Sequence, residues 1–327
     1  MSIIEAKLNG IASQTGKVKI IVAAIILIIM GTLPFWGSGY MTNVFLLIFL
    51  YMSIGMMWNL LSGYAGLTSL GQQAFIGIGG YSVAVLTQVY GLSLIWGFAV
   101  GSVVGVVFAL VISMPIFKMN GAYFTIGTWI IAEALYIFFV KWEFVNYGIG
   151  YPITAAYGIP MWGLYLASFI VGIGSIVIVT LLLKSRLGLT LMAMRDDSGA
   201  AEVRGVKLYR TKLICYLIAA FWVTITGCLL FLNQAYIVPS SAFTIDWTIA
   251  CVFIVIIGGI GTIEGPIVGA VIYVFLRQIL YGFPGISNII LGIIAIIIII
   301  VAPKGIMGYL NNKFNLDIFS IRRRIKR

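Results

Sequence analysis

Apolar residues fall in ten long runs along this chain, near 20–36, 41–61, 71–89, 92–114, 121–140, 162–183, 212–233, 246–260, 264–282 and 286–302. Short polar or glycine-rich stretches separate them. Most runs approach the ~20 residues that a helix needs to cross a hydrocarbon core of about 30 Å. No run alternates apolar and polar positions as a barrel strand would. The pattern predicts an all-α, polytopic transmembrane helical bundle of about eight to ten spans across residues 20–303. A polar N-terminal segment, 1–19, precedes it and a basic tail, 304–327, follows.

Two segments interrupt the helical pattern. Ser62–Gly80 carries Gly63, Gly66 and Gly71, then Gly77, Gly79 and Gly80. Ile257–Ala270 carries Gly258, Gly259, Gly261 and Gly265 with Pro266 beside them. Broken helices at membrane depth survive where they are buried or line a cavity, and one such break in each half points to a transport path. Small residues that let helices pack closely explain the same glycines equally well.

A third interruption is polar. Lys184–Lys212 holds seven of the twenty basic residues and three of the nine acidic ones. Within it Asp196, Asp197 and Ser198 can cap and charge the start of a short helix through Gly199, Ala200, Ala201 and Glu202, and Gly205 can end it. Such a helix would lie across the membrane face with small residues outward, as a docking surface.

Charge then sets orientation. Charged residues make up 9% of the chain, against about 25% in soluble proteins. The net charge of +11 does not imply nucleic acid, because the basic residues sit between apolar runs. Lys7, Lys17 and Lys19, then Lys118, Lys184–Lys212, Lys304, Lys313 and Arg322–Arg327 all fall on one face if the spans number ten. That face, with both termini, is expected to be cytoplasmic. Lys141, Glu143 and Asp246 fall opposite.

Several chemistries drop out. There is no histidine, and Cys215, Cys228 and Cys251 lie inside apolar runs, so no metal site or disulfide framework is expected. The start of the chain lacks the features of a cleavable signal. Gly10–Val18 imitates a phosphate-binding loop, but five residues separate its glycines and Val18 replaces the magnesium-binding hydroxyl. An intramembrane enzyme finds no constellation here.

The polar groups left inside the spans are few. Glu133 and Arg277 lie at similar depth, each costly to hold alone in a membrane. They are expected to pair or to face a translocation path, unless Arg277 snorkels and Glu133 bonds a neighbouring helix. Gln72 and Gln73, behind Thr68 and Ser69, can serve a polar solute or cap a helix. The connection Trp142–Trp162, rich in tyrosine, suits the membrane interface.

These motifs together resemble a known family. Ala200-Ala201 with Gly205 looks like the cytoplasmic coupling loop of ABC importer permeases, with Gly199 at the place of the usual first acidic residue. Trp58 through Gly66, Ser69 through Gln72, Leu189 through Arg195 with Asp197, and Gly258 through Thr262 with Gly265-Pro266 and Gly269-Ala270 resemble the branched-chain amino acid permeases of the LivM type. The resemblance implies an ABC importer permease fold that carries leucine, isoleucine and valine. It also implies a second LivH-type permease, two cytoplasmic ATPase subunits that hold ATP and magnesium, and an external substrate-binding protein. Alternating access in a bacterial cytoplasmic membrane would follow, with no cofactor in this chain. Permeases for urea and short-chain amides share these signatures and remain an alternative, as does a self-sufficient secondary transporter or channel.

Overall fold

The computed structural model describes residues 24–314, apart from 197, 303 and 304. The expected N-terminal segment 1–19, the loop at Gly10–Val18, Asp197 and most of the basic tail therefore lie outside the described residues. Residues 305–314 of that tail form a helix.

The expected runs fold as ten apolar helices. They are α1 (Ala24–Trp36), α2 (Gly39–Asn59), α3 (Gln72–Gln88), α4 (Leu94–Ile116), α5 (Ala122–Lys141), α6 (Met161–Lys184), α9 (Leu208–Gln234), α11 (Asp246–Gly258), α12 (Glu264–Ile279) and α13 (Pro284–Val301). Between them lie the short helices α7 (Arg186–Asp196), α8 (Ser198–Val203) and α10 (Pro239–Ala242), with α14 (Gly305–Phe314) at the end. Seven segments among the described residues are long and apolar enough to cross a membrane. The chain is a multi-pass membrane protein.

Helix α2 is the centre. Of its spanning window 89% is buried, against 12% for the segment Asn288–Tyr309. Helices α6, α9, α11 and α12 pack around it. On the other side α3 and α9 cross very closely, because Gly79 and Gly227 let the two backbones meet. A Cβ on Gly79 would land on the Thr224 carbonyl, and one on Gly227 on the backbone of Ile76. The thiol of Cys228 donates to the Gly79 carbonyl at 3.3 Å across this contact. The glycines within α3 therefore serve close packing.

The chain is not helical throughout. Strand β1 (Tyr151–Pro152), in the Trp142–Trp162 connection, pairs antiparallel with β2 (Tyr236–Ile237), which follows α9. The hydroxyls of Tyr151 and Tyr236 bond the Phe144 and Ile149 carbonyls, both at 2.9 Å. The connection is thereby folded onto that end of the bundle.

Helices α3 and α12 are among those short for a membrane. At 17 and 16 residues, α3 and α12 span only about 25 Å at 1.5 Å per residue. Both follow one of the glycine-rich breaks.

Candidate functional site

The two breaks, about two hundred positions apart in sequence, meet at one end of the bundle. Helix α2 runs into a π-helical turn, Leu60–Tyr64, and α11 ends at Gly258. Asn59, fully buried, joins them. Its amide nitrogen donates to the Thr262 carbonyl at 2.7 Å, and its oxygen accepts from the Gly261 N–H at 2.8 Å. Gly261 has φ of +74°, a conformation that favours glycine. Gly63 lies so close that an added Cβ would strike both the Asn59 side chain and the Gly261 backbone. Gly71 packs on Thr128 of α5, Gly258 and Gly265 face each other, and Pro266 is buried in the first turn of α12. Gly66 has nothing within 4 Å of an added Cβ.

The polar break folds as two helices rather than one short one. Asp196 ends α7, and Ser198 opens α8. Gly205, at φ +84°, stops α8 as expected, its N–H bonding the Glu202 carbonyl at 2.9 Å. Gly199, Ala200, Glu202 and Val203 are exposed, Val203 at 90%, whereas Ala201 is buried. Helix α9 starts at Leu208, so Arg210 and Lys212 are helical rather than loop residues.

Arg195, on the last turn of α7, ties these two regions together. Its guanidinium lies against Gly261. It also lines a cavity of about 640 Å³ with Lys212, Asn120, Thr125, Gly66 and Thr68. The irregular backbone after the π turn thus borders a polar cavity, as irregular backbone at membrane depth must.

The remaining expected residues are dispersed. Gln72 and Gln73 are buried at the start of α3. The Gln73 side-chain oxygen bonds the Thr248 hydroxyl, whereas the Gln72 oxygen is buried with no partner among the described residues. Gly71, not a side chain, precedes the helix, so neither glutamine caps it. Glu133 is exposed on α5. Arg277 does not meet it. The Arg277 guanidinium donates to the Tyr51 hydroxyl on α2 and lies 5.5 Å from that ring centre.

Arg277 belongs to the opposite end of the bundle, where a cavity of about 470 Å³ opens between α2, α9 and α12. Tyr51, Asn43, Asn233 and Trp247 line it with Arg277. Asn233 donates to Asn43 at 3.3 Å, and Tyr51 stacks on Trp247 with ring centres 6.0 Å apart. A second cavity of about 290 Å³ shares Gln234, Trp247 and Arg277 and adds Asp246. Asn43, Tyr51 and Asn233 had no role in the sequence reading. Their only signal was a polar group inside a long apolar run. Asp246 stands in the sequence only as a charge at the edge of an apolar run.

This architecture has relatives. The family described as "Branched-chain amino acid transport system / permease component" matches residues 40–302. The chain is 24% identical over 332 residues to the high-affinity branched-chain amino acid transport system permease protein LivM of Escherichia coli, covering 92% of this chain and 77% of that one. The LivM protein of Salmonella typhimurium matches with 24% identity and the same coverage. A probable branched-chain amino acid transport permease protein LivH of Methanocaldococcus jannaschii is 26% identical over 272 residues, covering 72% of this chain and 82% of its own. No solved structure matches the chain. These relatives are permease subunits of transport systems, not enzymes. The match across nearly every membrane helix places this chain in the family of branched-chain amino acid transport permease components.

Proposed function

We propose that the chain is one transmembrane subunit of an ATP-driven importer of leucine, isoleucine and valine. A second permease of the LivH type completes the translocation path. Two ATPase subunits bind ATP and magnesium beneath it, and an external binding protein delivers the substrate. The end bearing α7 and α8 faces the cytoplasm, in line with the basic residues gathered there.

One observation carries the coupling role. Exposed α8 connects through α7 to Arg195, and Arg195 abuts Gly261 at the junction of the two breaks. Closure of the ATPase pair on α8 would move α7, and with it the turn between α11 and α12. That turn is fixed to α2 by Asn59, so a local push becomes a tilt of one helix pair against the central helix. Bistable rearrangement of packed helices is the usual form of such transmission. Arg277, Gln72, Gln73 and Glu133 are the polar groups we place along the path.

The test is reconstitution of the full complex in liposomes, with uptake of labelled leucine and labelled urea measured side by side. Leucine uptake that needs both ATP and the binding protein is expected. Urea uptake without leucine uptake would overturn the substrate, and uptake without the ATPase subunits would overturn the class.

A further inference from the structure

We infer that the two adjoining cavities at the end opposite α8 form a docking site for a zwitterionic α-amino acid, with Arg277 taking the carboxylate and Asp246 the ammonium. This rests on the importer reading above.

The geometry begins with a hairpin. Arg277 lies thirteen residues after the start of α12 at Glu264, and Asp246 lies twelve residues before the end of α11 at Gly258. The two helices pack antiparallel from a short turn, so both residues stand about 18–20 Å above it at 1.5 Å per residue. Arg277 therefore has an acidic residue at its own level, but it is Asp246 rather than Glu133. Both line the smaller cavity, and the larger one opens from Arg277.

Neither charge is exhausted. Arg277 has five N–H donors, and the partner the structure gives it is a neutral phenol, Tyr51. Asp246 accepts from Asn288 at 3.3 Å and has further lone pairs. A cation and a carboxylate beside open volume suit a ligand that carries the opposite charges in the opposite order. Leu47, Leu230 and Val274 line the larger cavity and offer an aliphatic side chain an apolar wall. Its volume of about 470 Å³ falls within the usual range of about 300–1,000 Å³ for small-molecule sites. A molecule without charge, such as urea, would leave both ionic groups unanswered.

The experiment uses the complete transporter in detergent, without its binding protein, and reads ligand contact by saturation-transfer NMR. Leucine is compared with leucinamide, which lacks the carboxylate, and 4-methylpentanoate, which lacks the ammonium. Wild type should bind leucine about tenfold or more tightly than either analogue, as expected when a charge-assisted hydrogen bond is lost. Arg277→Gln should weaken leucine and 4-methylpentanoate by a similar factor and leave leucinamide unchanged. Asp246→Asn should weaken leucine and leucinamide and leave 4-methylpentanoate unchanged. Arg277→Lys should recover part of the loss. Equal binding of the three ligands by wild type would overturn the site, and so would equal loss of all three in both variants. If a variant fails to assemble, the wild-type comparison still decides. Leucine uptake by the wild-type complex, measured separately, shows whether the importer reading stands when the site does not.

Discussion

Asn59 holds Gly261 and Thr262 by their backbone, donating to one and accepting from the other across about two hundred residues of sequence. A single side-chain amide thereby joins the π turn after α2 to the turn between α11 and α12. Replacing it with leucine leaves a buried N–H and a buried carbonyl unpaired, which costs about 1–3 kcal/mol for each such group. Asn59→Leu should lower the melting temperature of the detergent-solubilised protein clearly. Asn59→Asp keeps the acceptor for Gly261 but turns a second oxygen onto the Thr262 carbonyl, and it should lower the melting temperature as well. Equal melting of Asn59→Leu and wild type would show that the junction is not held by this residue.

Gly63 and Gly158 separate tight packing from open space. A Cβ on Gly63 strikes the Asn59 side chain and the Gly261 backbone, whereas nothing lies within 4 Å of one on Gly158. Gly63→Ala should destabilise by about 1–3 kcal/mol through overpacking, and Gly158→Ala should stay within about 0.5 kcal/mol of wild type. Chemical denaturation in mixed micelles measures both.

Val203 is the better probe of α8. Ala201 is buried, so Ala201→Arg confounds docking with the cost of burying a charge. Gly205→Trp adds strain at φ +84° to its bulk. Val203, 90% exposed, can be changed to glutamate with little effect on folding. Val203→Glu should weaken capture of the ATPase subunits by roughly tenfold, a typical loss at a central contact residue, with unchanged membrane insertion. Undiminished capture and uptake would remove α8 from the coupling surface.

Glu133 and Arg277 should act independently. Arg277 is engaged with Tyr51 on α2, and Glu133 is exposed on α5. Stability losses of Glu133→Gln and Arg277→Gln should therefore add to within about 0.5 kcal/mol in the double variant. A larger coupling energy, read from a double-mutant cycle of unfolding, would restore the direct pair.

Sequence alone went far along the membrane normal. Apolar run length placed all ten helices, the glycine clusters placed both breaks, and Gly205 marked the end of α8. Position along a helix is legible because each helical residue advances by a fixed rise of about 1.5 Å, which is how Arg277 was placed about 20 Å from the start of its helix. Rotation about each helix is not legible in the same way. A helix that is apolar all round, as α2, α4 and α6 are, carries no polar face to report which side meets which neighbour.

Tertiary structure decided everything that depends on that rotation. It turned Arg277 toward Tyr51 rather than Glu133. It buried Ala201 and left Val203 outside, and it brought Asn59 onto Gly261. It also let glycine-lined backbones close on one another, as Gly79 does on Thr224. That contact belongs to two helices at once, so neither stretch of sequence contains it.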